Sequence, residues 1–144
     1  MVYHERNTWS MLIATLVATT LYVALIAHAA GGGQLVDVQW WPIMFWTIVG
    51  SILGSILISI VWGIIAGSRD PDGVGVTDVR DRDISQMGSR VGQTFMVIAG
   101  LGVLALCAVE ADWFWIAHTM FAGFALSAFV GGIAQVIAYR RGLA

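Results

Sequence analysis

Residues 91–139 read VGQTFMVIAGLGVLALCAVEADWFWIAHTMFAGFALSAFVGGIAQVIAY, two long apolar runs that meet at Glu110-Ala111-Asp112. Neither run, 91–109 or 113–139, contains Asp, Glu or Arg. Crossing a hydrocarbon core of about 30 Å takes about 20 apolar residues as a helix, and both runs meet or nearly meet that length. So short a connection leaves room only for a tight antiparallel turn between two helices. The stretch therefore predicts a transmembrane helical hairpin.

Two earlier apolar runs, at about 8–30 and 40–67, predict a second hairpin. The first run is longer than the roughly 7 to 15 apolar residues of a signal peptide and lacks a clear cleavage junction, so we interpret it as a retained span. No segment alternates apolar and polar residues as the strands of a membrane barrel do. Hydrophobic residues make up 58% of the chain and charged residues 11%, which is far from the balance of a soluble domain. The predicted fold is all-α: one four-helix transmembrane domain over 1–144, built as two in-out-in hairpins with a cytoplasmic loop at 68–90.

All the arginines of this lysine-free chain fall on one side of the predicted membrane. The two connections on the opposite side, 31–39 and 110–112, carry acidic residues and no arginine. Cytoplasmic loops are enriched in Lys and Arg, so both termini are predicted to lie in the cytoplasm. The lack of lysine also favours a GC-rich prokaryotic source, and hence a plasma (inner) membrane location. The arginines are Arg6, Arg69, Arg80, Arg82, Arg90, Arg140 and Arg141.

The chain lacks the usual machinery of an enzyme or a nucleic-acid-binding protein. It has no Ser-His-Asp arrangement, no paired buried carboxylates, no phosphate-binding glycine loop and no CxxC pair. Cys107 is the single cysteine and lies in the third span. The arginines of 68–90 are interleaved with aspartates that cancel a basic patch. We therefore expect no catalytic activity, no cofactor, no metal site and no nucleic-acid partner.

Small residues recur every four positions in the second and fourth spans. Such faces let helix backbones approach closely in lipid, where dispersion contacts rather than the hydrophobic effect hold helices together. We expect these residues to pack helices, either within one chain or between chains, and a permeation path lined by small residues is the third interpretation. The predicted helix-packing residues are Gly50, Gly54, Ser59, Gly63, Gly123, Ser127 and Gly131.

A charged segment precedes the third span. Thr77 or Asp78 can cap a short helix that leads into that span, and Asp78 and Arg82 stand four positions apart, as a solvated ion pair on a helix does. One interpretation is a charged elbow that sets the angle of the third span, and the other is a docking surface for a cytoplasmic partner. The candidate docking residues are Asp78, Arg80, Asp81, Ile84 and Arg90.

The same segment carries a short charged box, Asp78-Val79-Arg80-Asp81, with Ile84 after it. With its four-span layout, the chain resembles a family of small prokaryotic four-span membrane proteins of unknown function, which is marked by an Asp-Glu-Arg-Asp (DERD) box before the third span. Val79 stands where that family has Glu. The resemblance implies no enzymatic activity, and some members of the family look like membrane partners of small helix-turn-helix regulators.

Ionisable residues collect on the predicted outer side. His118 lies five residues beyond Trp113, about 8 Å deeper along a helix, and ionisable residues at membrane depth are candidates for a functional site. An interfacial, hydrogen-bonded histidine is one interpretation, and a proton or metal role or catalysis are the others, although the spacing is not a metal motif. Gln93 and Gln135, near the inner side, are expected to hydrogen-bond between helices or to line a polar passage. The possible proton or ion residues are His28, Glu110, Asp112 and His118.

The sequence favours an accessory or regulatory integral membrane protein that works through helix–helix and cytoplasmic-loop contacts. Its expected partners are membrane lipid, a second copy of the chain, or another membrane or cytoplasmic protein. The alternative is a small oligomeric transporter or channel for an ion or a small amphiphile, with His118, Glu110 and Asp112 at its outer mouth. The absence of charge inside the predicted spans counts against that alternative.

Overall fold

The computed structural model of the chain describes residues 3–69 and 79–141, without the side chains of residues 3–5, 66 and 69. That part of the chain forms four α-helices, each long and apolar enough to cross a membrane. The predicted all-α fold with four candidate membrane spans is thereby confirmed. A short 3-10 turn, Leu35–Asp37, lies between the first two helices. The helices are α1 (Tyr3–Ala30), α2 (Trp40–Arg69), α3 (Val79–Ala108) and α4 (Trp113–Arg141).

α3 extends well past the predicted third span. It begins at Val79, so the second half of the predicted 68–90 loop forms about three turns of this helix. The expected short helix is therefore continuous with the span. The physical reason is packing, because Ile84 and Gly88 are both buried in this stretch. Helices in proteins are held mainly by such tertiary contacts rather than by propensity.

α3 and α4 pack antiparallel through small residues. A Cβ placed on Gly131 would lie 2.8 Å from a backbone carbonyl oxygen of α3, and one placed on Gly92 would lie 2.8 Å from the carbonyl oxygen of Ser127. Gly123 meets Ala99 at a similarly close approach. Backbone atoms cannot step aside as the end of a flexible side chain can, so larger residues would separate the helices. Gly123, Ser127 and Gly131, which the sequence predicted as packing residues, thus pack within the chain.

The four helices form an open bundle. α1 packs against α2 on one side and α4 on the other, while α3 packs mainly against α4. α2 and α3 share at most a marginal contact. None of the residues in the most apolar 18-residue window of α2 is buried, whereas each of the other three helices has buried residues in its window. The four-helix bundle is therefore open on the side of α2.

The two ends of the bundle differ in chemistry. At one end, here called the Arg6 end, the guanidinium carbon of Arg6 lies 5.1 Å from the ring centroid of Trp62, and that of Arg140 lies 5.5 Å from the ring of Trp9. At the opposite end, here called the Asp112 end, an apolar core packs against residues of the 3-10 turn. The buried residues of that core are Tyr22, Ile26, Met44 and Phe114.

Candidate functional site

His118 lies in the second turn of α4 and is hydrogen-bonded through both ring nitrogens. Its Nδ1 is 2.7 Å from the backbone oxygen of Phe114, and its Nε2 is 2.6 Å from the hydroxyl oxygen of Tyr22 on α1. A carbonyl oxygen can only accept, so Nδ1 carries a proton and donates it to Phe114. In the neutral ring, Nε2 therefore accepts the hydrogen bond that the Tyr22 hydroxyl donates. The bond between Tyr22 and His118 ties α1 to α4.

Aromatic rings surround the imidazole of His118. Phe114 stacks on it with ring centroids 3.8 Å apart, and Trp40 at the start of α2 meets it edge-on at 5.6 Å. Tyr22 also packs against Phe121 at 4.4 Å, and only 2% of Tyr22 is exposed. Aromatic pairs add about 0.5–1.5 kcal/mol each beyond the area that they bury. These five residues, here called the His118 cluster, join α1, α2 and α4 at the Asp112 end.

The hydrogen-bonded interpretation of His118 agrees with this geometry, but its partner was missed in the sequence. Tyr22 lies in the middle of an apolar run and was counted with the apolar residues around it. A signal was present, because a tyrosine hydroxyl buried in a membrane span needs a hydrogen-bond partner. The sequence does not show which residue supplies that partner, since His118 follows Tyr22 by 96 positions.

The other ionisable residues of the predicted outer side do not form a metal site with His118. His28 is exposed in the last turn of α1, and Glu110 and Asp112 are exposed in the turn between α3 and α4. Within residues 3–69 and 79–141, no three His, Cys, Asp or Glu side chains form a group that could hold a metal ion. The hydrogen bonds of His118 go to Tyr22 and Phe114 instead.

Glu110 and Asp112 shape the turn itself. The N–H of Ala111 donates to the carbonyl of Leu106 at 3.0 Å, and the N–H of Glu110 donates to the carbonyl three residues before it at 3.1 Å, the two bonds of a Schellman motif. Glu110 has a φ of 54°, the left-handed conformation that glycine usually supplies at this position. Asp112 caps α4, because its Oδ1 accepts the N–H of Phe114 at 2.8 Å. Both acids thus have a structural role.

The small residues of α2 are not packed as those of α4 are. A Cβ placed on Gly50 or Gly54 would meet nothing within 4 Å. Both glycines line an apolar groove of about 580 Å³ between α1 and α2. Ser59 and Gly63, further along the same helix, are half-buried. The face at Gly50 and Gly54 is here called the open face of α2. It has the small residues that let a helix pack closely, but no helix of the described residues packs closely against it.

A second apolar groove of about 600 Å³ lies between α1, α2 and α4. α2 and α4 meet where Trp40 contacts His118, and the groove begins beside that contact, with Met44 and Ala117 in its lining. Its remaining lining is mostly apolar and includes Phe124 on α4. The volume falls within the roughly 300–1,000 Å³ of typical small-molecule sites. The groove has room for an apolar or amphiphilic molecule.

The predicted docking residues of the α3 segment divide by exposure. Arg80 and Arg90 are exposed, and Asp81 is half-buried. Ile84 has no exposed surface, so its prediction as a docking residue is wrong. It is an apolar side chain enclosed by the chain's own packing, and a partner at the surface cannot reach it. Asp78 lies outside the described residues.

Polar side chains link helices at the Arg6 end. The hydroxyl of Thr8 on α1 donates to Oε1 of Gln135 on α4 at 3.4 Å. The indole N–H of Trp62 on α2 donates to Oγ of Ser10 on α1 at 2.9 Å. The interhelical hydrogen bonding expected of Gln135 therefore agrees with the structure, whereas Gln93 is exposed on α3.

No protein-family model, no curated protein and no solved structure matches the chain. We therefore infer a function from the chain's own residues. Three features of the described part offer a starting point: the His118 cluster, the open face of α2 and the polar residues at the Arg6 end.

Proposed function

We propose that the chain is an accessory or regulatory protein of a prokaryotic plasma membrane, acting through contacts between its helices and those of a partner. In this proposal the helices cross the bilayer as two in-out-in hairpins. Both termini and the Arg6 end lie in the cytoplasm, in keeping with the one-sided arginines. The observation that carries the proposal is the open face of α2 at Gly50 and Gly54.

This face differs from an ordinary lipid-facing surface. Apolar side chains such as Leu57, which is 62% exposed, suit contact with acyl chains and need no protein partner. A glycine offers no side chain to lipid and costs about 1 kcal/mol relative to alanine in a helix. The advantage of a glycine is that the backbone of a second helix can approach it closely. The small residues of α3 and α4 allow such an approach between these two helices. The glycine pair on α2 is therefore suited to a further helix.

The groove beside the glycines supports the same proposal. Met11 and Ala18 of α1 form its other wall, and the lining is mostly apolar. A transmembrane helix from a second copy or from another membrane protein could lie along this groove and contact both α1 and α2. Close packing against Gly50 and Gly54 would then supply the dispersion contacts that hold helices together in lipid.

The test is a paired substitution with a matched control. Gly50→Leu combined with Gly54→Leu should abolish the complexes that crosslinking in native membranes recovers, because leucine holds the second backbone away. Gly100→Leu is the control, since a Cβ at Gly100 on α3 also meets nothing within 4 Å. Mass spectrometry of crosslinked products identifies the partner. Unchanged complexes in the double variant would refute the proposal.

A cytoplasmic contact through Arg80 and Asp81 is part of the same proposal. The resemblance at the Asp78 to Asp81 box favours it, because some members of that family look like partners of helix-turn-helix regulators. A crosslinked pull-down should recover a soluble partner from the native chain and lose it when Arg80→Ala and Asp81→Ala are combined. Recovery of the chain alone would count against a cytoplasmic partner.

A transporter of small amphiphiles is the second candidate, and the groove of about 600 Å³ between α1, α2 and α4 favours it. His118 contacts Trp40, and this contact lies beside one end of that groove. In liposomes, the purified chain should then move a small amphiphile or an ion, and His118→Ala should reduce the flux. No flux for any class tested would eliminate this candidate and leave the accessory function in place.

A further inference from the structure

A polar cavity of about 470 Å³ lies at the Arg6 end, between α1, α3 and α4. Its polar lining is mainly neutral hydroxyl and amide groups, with one carboxylate and one guanidinium. The two charges cancel, so the cavity offers hydrogen-bond donors and acceptors without a net charge. The lining includes Asn7 and Thr8 of α1, Asp81 and Arg82 of α3, and Gln135 and Tyr139 of α4.

The cavity lies at the depth of lipid headgroups if Trp113 marks the opposite interface. Gln135 follows Trp113 by 22 residues, which is about 33 Å along α4. The hydrocarbon core is about 30 Å thick, so Gln135 reaches its far boundary and Tyr139 lies one turn beyond. A narrower cleft of about 270 Å³ shares Gln135 with the cavity and continues along α1 to Met11 and Leu12. The lining of this cleft is part polar, with Asn7, Thr8 and Gln135, and part apolar, with Met11 and Leu12. A polar cavity that continues into a cleft with apolar walls has room for a headgroup and the first part of an acyl chain.

An unpartnered polar atom points to the same place. Oδ1 of Asn7 is buried and has no hydrogen-bond partner among the described residues. Asn7 lines both the cavity and the narrower cleft. Buried polar atoms nearly always find a partner, so an orphaned one indicates a water, an ion or a ligand. As an acceptor, this oxygen suits a donor such as an ammonium group.

We propose that the cavity binds a phosphate diester that bears a primary ammonium, the headgroup chemistry of a phosphoethanolamine lipid. Arg82 would donate charge-assisted hydrogen bonds to the phosphate oxygens. The carboxylate of Asp81 and Oδ1 of Asn7 would accept from the ammonium. A headgroup with a phosphate and no ammonium would bring a negative charge into a lining that has no net positive charge to offset it. The neutral lining therefore favours the zwitterion.

The experiment measures lipid retention by the full chain. The chain is purified in mild detergent with equal amounts of phosphatidylethanolamine, phosphatidylcholine and phosphatidylglycerol of the same acyl chains, and native mass spectrometry counts the bound lipid. Phosphatidylcholine is the matched control, because it has the same phosphate and net charge but no N–H donor. We expect roughly tenfold more retained phosphatidylethanolamine than phosphatidylcholine, the usual effect of one charge-assisted hydrogen bond. Equal retention of the three lipids would overturn the proposal.

Substitutions locate the bound lipid. Asp81→Asn and Arg82→Gln should each remove the preference for phosphatidylethanolamine. Asp83→Asn and Arg141→Gln should keep it, because those charges are exposed at the same end but do not line the cavity. Circular dichroism with thermal unfolding confirms that each variant is folded. A preference that survives in folded Asp81→Asn and Arg82→Gln would show that the lipid binds elsewhere and overturn the proposal.

A competition step distinguishes the two sources of this chemistry. Water-soluble glycerophosphoethanolamine carries the headgroup without acyl chains. If it displaces the retained lipid from the native chain and from the Asp83→Asn control alike, the headgroup alone suffices and a soluble phosphoamine fits the cavity. If it displaces none, the acyl chains contribute and the ligand is a membrane lipid. Both results uphold the proposed headgroup chemistry.

Discussion

Removing a single oxygen from Tyr22 should measure how strongly the His118 cluster ties α1 to α4. Tyr22→Phe keeps the ring and its contact with Phe121 but leaves Nε2 of His118 without its donor. A buried polar group that loses its partner costs about 1–3 kcal/mol. Interhelical hydrogen bonds in a membrane protein average about 0.6 kcal/mol and reach about 1.7 in double-mutant cycles. Because His118 is half-buried, we expect the free energy of unfolding to fall by about 1 kcal/mol.

A double-mutant cycle separates this bond from the other contacts of the two residues. The cycle compares Tyr22→Phe, His118→Leu and the two combined, with unfolding by SDS in mixed micelles followed by circular dichroism. The combined variant should be about 1 kcal/mol more stable than the sum of the single losses predicts, because neither polar group is then left without a partner. A coupling energy below about 0.3 kcal/mol, the usual error of additivity, would refute the bond as a tie between helices.

Three further predictions concern the turn and the helix contact. Glu110→Gly should raise the free energy of unfolding by about 0.5–1 kcal/mol, because glycine adopts the left-handed conformation without strain; a loss in SDS unfolding would contradict it. Asp112→Ala should lower the same quantity by about 1 kcal/mol through loss of the cap, and Asp112→Asn should lower it less, since Asn also caps helices; equal losses would speak against the capping role. Gly131→Leu should lower the free energy of unfolding by about 3 kcal/mol or prevent folding, because its Cβ meets the backbone of α3. Gly100→Leu, also a change from glycine to leucine, should be tolerated, because a Cβ at Gly100 on α3 meets nothing within 4 Å. Comparable thermal stability of the two variants would contradict the packing of α3 against α4.

The sequence predicted the helices better than their contacts. Apolar length alone indicates four spans, because a backbone in lipid must satisfy its hydrogen bonds within a helix. The start of α3 was predicted only in part, since the charged segment indicated a short helix but not that this helix continues into the span without a break. Ile84 is buried there, and that burial extends the helix beyond the span. The charge pattern of the segment suggested a surface for a partner, but it did not show which side chains face inward.

The two glycine patterns show the same limit. Gly50 and Gly54 on α2 and Gly123 and Ser127 on α4 have the same four-residue spacing. The spacing predicts that a helix can approach each face, and it cannot say whether that helix belongs to the same chain. In the structure α3 covers the face of α4, whereas the face of α2 is open.

What the sequence by itself determined is the number of helices and their apolar character, since each depends on local composition. The tertiary structure decided which faces meet. It paired His118 with Tyr22 across 96 positions, gave Glu110 and Asp112 structural roles in the turn, and brought Asn7, Asp81 and Arg82 around one cavity. The physical reason is that the choice of partner in lipid depends on close fit between helix surfaces, and fit is a property of three-dimensional shape.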